Sequence, residues 1–111
     1  MKVEVSTDTR TAADIPAVTA VIEAGLTRYR DRLTRVEVHL SDVNGPKGGP
    51  DCRCALEARA AGRQPVAVTN DAGTPDAAIK GAVEKMRRML QTTFGREDDV
   101  KGGPSASGQP T

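Results

Sequence analysis

Residues 2–6 (Lys-Val-Glu-Val-Ser) alternate polar and apolar side chains, and this period of two predicts a half-buried first strand with Val3 and Val5 on one face. From Asp14 to Leu33 the rhythm changes. Ile15, Val18, Val21, Ile22, Leu26, Tyr29 and Leu33 recur every three or four residues, the signature of one apolar stripe on a helix, with Thr11 or Asp14 as its cap and Pro16 in its first turn. Alternation returns from Arg35 to Val43. Val36, Val38 and Leu40 point one way, and Arg35, Glu37, His39 and Ser41 the other, which predicts a second strand.

The segment Asp42–Asp51 is dense in Gly, Pro, Asn and Asp and predicts a hairpin loop. Beyond it Cys52, Cys54, Leu56 and Ala58 share one strand face, with Arg53, Glu57 and Arg59 on the other. Ala61-Gly-Arg-Gln64 then turns the chain into a fourth strand, Pro65–Thr69, in which proline is confined to the start or to an edge. Thr74-Pro75-Asp76 is a strong helix start: a capping hydroxyl, proline at the first helical position and an acid at the positive end of the dipole. Ile79, Ala82, Val83, Met86 and Leu90 form the apolar face of this helix, and Gly95 predicts its end.

This order, β-α-β-β-β-α, predicts an α+β fold: a four-stranded sheet with two helices packed on one face and the other face in solvent. Residues 1–96 form the predicted domain. Residues 97–111, acidic and then rich in Gly, Pro and Ser, have nothing to bury and predict a disordered tail. With 37% hydrophobic residues but only one Tyr, one Phe and no Trp, the core must be aliphatic. No apolar run approaches the roughly 18 residues of a membrane span, and the start lacks a secretory apolar segment, so a cytoplasmic location with no membrane partner is expected.

The 16 basic and 15 acidic residues nearly cancel, so any nucleic-acid case rests on their distribution. Between residues 80 and 96 stand Lys80, Lys85, Arg87, Arg88 and Arg96 against Glu84 alone. Lys80, Glu84, Arg87, Arg88 and Gln91 lie opposite the apolar face of the last helix. A second basic group, Arg28, Arg30, Arg32 and Arg35 with Asp31 among them, falls between the first helix and the second strand. Such side chains neutralise phosphates, or they simply solvate a face and complement a helix dipole; from charge alone both readings stand.

Catalytic and metal chemistry find little support. His39 is the sole histidine and sits on a polar strand face, and Cys52 and Cys54 read as small core residues two short of a four-ligand zinc site. The glycines at 45, 48 and 49 join two strands and open no helix, so they lack the phosphate cradle of a nucleotide site. No enzyme, cofactor, metal or small-molecule substrate is expected. A small metal enzyme built on Cys52, Cys54 and His39 remains only as a formal alternative.

Three stretches carry a family resemblance: Arg35-Val-Glu-Val-His-Leu-Ser-Asp-Val-Asn-Gly45; Cys54-Ala-Leu-Glu-Ala-Arg59 with Gly62-Arg-Gln-Pro-Val-Ala-Val68; and Asp76-Ala-Ala-Ile-Lys-Gly-Ala-Val-Glu-Lys-Met-Arg-Arg88. Over nearly all of residues 2–96 the chain resembles the short form of the ribosome hibernation-promoting factors and ribosome-associated inhibitors, also described as sigma-54 modulation or S30EA-like proteins. The resemblance implies a fold related to the double-stranded RNA-binding domain. It also implies a non-catalytic factor of bacterial type that binds the small ribosomal subunit and its 16S-type rRNA. Such a factor occupies the mRNA/tRNA channel and inhibits translation under stress. By position, the implied rRNA-binding residues are Lys80, Lys85, Arg87 and Arg88 on the last helix, with Arg28, Arg30 and Arg32. The alternative is a regulatory module that docks a protein on the open sheet face through Arg35, Glu37, His39, Arg53 and Glu57.

Overall fold

A computed structural model describes the backbone of residues 1–8, 14–42 and 52–102, and the side chains in those ranges as far as Gly95. The elements are β1 (Lys2–Thr7), α1 (Ile15–Gly25), a short 3-10 turn (Thr27–Tyr29), β2 (Leu33–Asp42), β3 (Cys52–Ala60), β4 (Val66–Ala72) and α2 (Pro75–Gly102). The strands lie in the order β1-β2-β3-β4, β1 parallel to β2 and the remaining pairs antiparallel. A parallel first pair requires a crossover, which α1 supplies; β3 and β4 are joined by the short turn at residues 61–65. Of the hairpin loop expected over Asp42–Asp51, Asp42 belongs instead to β2, where it pairs with Cys52, and residues 43–51 lie outside the described residues.

The period-two pattern decides which sheet face is covered. Val36, Val38 and Leu40 on β2 and Cys54, Leu56 and Ala58 on β3 are all buried beneath the helices. From α1 come Val18 and Ile22; from α2 come Ala78, Ile79, Ala82, Val83, Met86, Leu90 and Phe94. α2 packs over β3 and β4, while α1 packs on α2 and β1. Each fully buried Leu, Ile or Met contributes on the order of 1.5–3 kcal/mol relative to exposure, so this aliphatic layer holds the fold.

Both helix starts follow the sequence signals. The Asp14 carboxylate accepts from the Ala17 amide at 3.2 Å, and the Thr74 hydroxyl accepts from the Ala77 amide at 3.2 Å. Their ends differ from expectation. α1 stops at Gly25 instead of reaching Leu33: Leu26 caps it by donating to the Ile22 carbonyl at 3.0 Å, and tight turns follow through Arg32. Leu26, Tyr29 and Leu33 are buried as the stripe predicted, but by these turns and by β2. β2 already begins at Leu33, so a helix extended to that residue would leave no chain for the reversal.

Gly95 does not terminate α2, which continues to Gly102. Buried Phe94 anchors this part of the helix, and the first strong breaker in the sequence is Gly102-Gly103-Pro104. Residues 97–102 are therefore helical, and of the expected tail only 103–111 lie outside the described residues. At the β3–β4 turn Gly62 takes φ +73°, the left-handed region open to glycine.

Candidate nucleic-acid interface

The face of α2 opposite the core carries the stripe Lys80, Glu84, Arg87, Arg88 and Gln91, stacked by three- and four-residue spacing. The side chains of Lys80, Arg87 and Arg88 are 66%, 55% and 77% exposed. Lys80 pairs with Asp76 at 3.1 Å, and Glu84 is shared by Arg87 at 3.4 Å and Arg88 at 3.8 Å. Exposed pairs of this kind hold each other weakly, typically by about 0–1 kcal/mol, so a phosphate can displace them.

Lys85 is set apart from the stripe. Its Nζ donates to the Thr69 carbonyl at 2.8 Å, which turns it toward the β4 edge. Thus the structure brings together Lys80, Arg87 and Arg88 and leaves Lys85 on the flank.

The second basic group reaches the same helix from the other side. Arg28 lies in the 3-10 turn with its guanidinium 5.9 Å from the Tyr29 ring centroid; Arg32 lies 4.7 Å from that of Phe94. Arg28 and Arg32, with Tyr29, Gln91, Phe94 and Gly95, line a hollow of about 310 Å³. Gln91 is one turn beyond Arg88, so the two basic groups meet along the C-terminal half of α2. Arg30, exposed in the turn before β2, shares neither the hollow nor a ring contact among the described interactions.

Arg63 was not among the residues expected from sequence. From the β3–β4 turn its guanidinium comes 5.3 Å from the Phe94 ring centroid. The available signal was thin: one arginine after a turn glycine, and one Phe in the whole chain, 31 residues apart. Only the packing of α2 across β3 and β4 joins them.

The open sheet face has a different electrostatic character. Across β1, β2 and β3 runs a basic row, Lys2, Arg35 and Arg59, beside an acidic row, Glu4, Glu37 and Glu57. The rows pair with each other: Lys2 with Glu4 at 3.5 Å, Arg35 with Glu4 and with Glu37 at 3.0 Å, and Arg59 with Glu57 at 3.3 Å. The acidic row borders a broad hollow of about 570 Å³ that is also lined by Ser6, His39, Ala55 and Thr69, and there the Ser6 hydroxyl meets His39 Nδ1 at 2.9 Å. Arg53 clasps Asp71 through two hydrogen bonds, 2.8 and 3.1 Å, and holds its carboxyl below the usual carboxylate range. All five residues of the alternative docking surface, Arg35, Glu37, His39, Arg53 and Glu57, do lie on this side.

Cys54 is buried under the helices, where burial pushes its thiol up to about 11. Among the described residues no group of three or more His, Cys, Asp or Glu side chains is arranged to hold a metal.

The family model described as "Sigma 54 modulation protein / S30EA ribosomal protein" matches residues 4–96. The chain belongs to this family. Its S30EA domain therefore includes every element from β1 to the Arg-bearing part of α2, the whole basic surface just described. This is a ribosome-associated family of modulation factors. The S30EA fold is shared with the Protein Y N-terminal domain of Thermus thermophilus (TM-score 0.64, 22% identity, 84% of this chain and 99% of that one). It is also shared with a ribosomal subunit interface protein of Coxiella burnetii (TM-score 0.65, 13% identity, 86% and 99%). No curated protein sequence matches the chain significantly. Among the described residues no helix is long and apolar enough to cross a membrane.

Proposed function

We propose that this S30EA-family protein binds the small ribosomal subunit through rRNA and, by occupying the mRNA/tRNA channel, holds idle ribosomes inactive without catalysing a reaction. The observation carrying this reading is the convergence of two sequence-distant basic groups on α2. Lys80, Arg87 and Arg88 are displayed opposite the core, and Arg28 and Arg32 extend that surface past Gln91. Lys85 and Arg30 border it and add to the field. The open sheet face suits RNA poorly, because the acidic row of Glu4, Glu37 and Glu57 runs beside its cations and repels phosphate.

The neighbours support the reading in their own names, one a Protein Y domain and the other a ribosomal subunit interface protein. The test is sedimentation of the purified protein with 30S and 70S particles at low salt. Co-sedimentation that weakens when Lys80, Lys85, Arg87 and Arg88 are replaced by Ala supports rRNA contact; absence from both particles at low salt overturns the reading. Docking of a protein partner on the sheet face predicts instead a complex that survives nuclease treatment.

A further inference from the structure

The chain has only two aromatic side chains, and the fold stacks them: the Tyr29 and Phe94 rings lie 5.8 Å apart with 30° between their planes. Around this pair gather three arginines from two separate parts of the sequence. Arg28 stands over Tyr29, while Arg32 and Arg63 converge on Phe94. A solvated basic face needs no such arrangement, since charge alone is satisfied wherever water reaches.

The rings themselves are almost fully buried, Tyr29 at 8% and Phe94 at 4% exposure, so they serve as the platform and not as the contact surface. A guanidinium within about 6 Å of a ring centroid is attracted to the ring, and guanidinium planes are among the surfaces on which unpaired bases stack. Two hollows flank the platform: about 310 Å³ beside Arg28 and Arg32, and about 350 Å³ beside Arg63, Gln64, Pro65 and Thr93. Small-ligand sites run from about 300 to 1,000 Å³, so these hollows suit a single nucleobase. The floor of the first is open at Gly95, where an added Cβ would meet nothing within 4 Å.

We infer that Arg28, Arg32 and Arg63, held over Tyr29 and Phe94, form a stacking site for an unpaired nucleotide of RNA; the inference deepens the rRNA reading above and rests on it for the source of that nucleotide. Double-stranded RNA turns its base faces inward and leaves such a platform empty, so the site selects a bulged, looped or single-stranded residue. The stripe on α2 recognises phosphates; the platform recognises a base face.

The experiment measures binding of a fluorescein-labelled eight-nucleotide single-stranded RNA, and of the same strand in duplex, by anisotropy across a salt series. Three proteins are compared: the unmodified chain, a variant with Arg28→Lys, Arg32→Lys and Arg63→Lys, and Gly95→Gln. Lysine keeps each charge but loses the planar face, so single-strand affinity falls about ten-fold with an unchanged salt slope. Gly95→Gln places a side chain in the first hollow without removing any cation and weakens the single strand more than the duplex. Circular dichroism confirms that both variants fold. Unchanged single-strand affinity in both variants overturns the inference.

Parallel sedimentation with 30S particles separates this inference from the function it rests on. If the α2 stripe governs sedimentation and both platform variants bind like the unmodified chain in every assay, the rRNA reading stands and the stacking site falls. If the chain ignores ribosomes but its single-strand binding depends on the three arginine planes, the stacking site stands and the ribosomal reading falls.

Discussion

Gly25 and Val83 meet where α1 leans on α2: a Cβ added at Gly25 would overlap the Cγ1 methyl of Val83. The glycine is thus a packing requirement between helices, and it sits at the residue where α1 ends. Gly25→Ala is expected to lower stability by about 1–3 kcal/mol, the usual range for an overpacked contact, with Tm falling by several degrees. Combining it with Val83→Ala removes the overlapping methyl. The double variant should lose less than the two single losses added together, and additive losses in thermal melts would show that the contact is not what constrains Gly25.

Asp71 and Arg53 tie β4 to β3 at the edge of the open face. Because Arg53 holds the Asp71 carboxyl below its ordinary value, the folded state binds this proton less readily than the unfolded chain. The stabilisation is fully present above the unfolded value of about 3.9 and is lost as pH falls through the lower folded value. Urea midpoints for the unmodified chain and Asp71→Asn should therefore differ at pH 6 and converge toward pH 2. A difference that persists at pH 2 would exclude the ion pair as its source.

Cys54 faces the helices between β2 and β4, and burial raises its thiol to about 11. At pH 8 its thiolate is scarce as well as inaccessible, so alkylation depends on opening of the core. Mass spectrometry after native iodoacetamide treatment should find half-buried Cys52 modified well before Cys54. Labelling of Cys54 should become rapid only in denaturant. Equal native rates would mean that the sheet opens readily on the helix side.

The strand pattern was legible in the sequence because one sheet face is buried and the other wet; alternation in Val36, Val38, Leu40 and again in Cys54, Leu56, Ala58 carries that information locally. Helix starts were legible for a similar reason, since Asp14 and Thr74 cap amides only three residues away. Helix ends were not. The apolar stripe of α1 continues through Tyr29 and Leu33, yet burial alone does not distinguish a helix from tight turns, and the reversal after Gly25 is set by the start of β2 at Leu33. Gly95 resembled a stop because its tolerance inside α2 depends on the anchoring of Phe94 beside it. The candidate site divides in the same way: a stripe on one helix shows in its spacing, whereas the meeting of Arg63 with Phe94 exists only in three dimensions.

Lys85 and Arg88 give the basic surface its most specific test. Both are basic residues of α2 three positions apart, but Lys85 is bound to the Thr69 carbonyl at the β4 edge, while the Arg88 side chain is 77% exposed and pairs with the shared Glu84 at 3.8 Å. A residue that neutralises an rRNA phosphate releases counterions, and its removal lowers the slope of log K against log salt by about 0.7–0.9. Arg88→Ala is expected to produce that change in 30S sedimentation measured over 50–200 mM salt, the approximate range in which such contacts weaken most visibly. Lys85→Ala should leave the slope nearly intact, and its loss should appear instead as a small decrease in stability as the helix-to-edge hydrogen bond disappears, on the order of 0.5–1.5 kcal/mol. If Lys85→Ala changes the slope as much as Arg88→Ala, the bound surface extends over the β4 edge, and the stripe facing Gln91 is only one side of it.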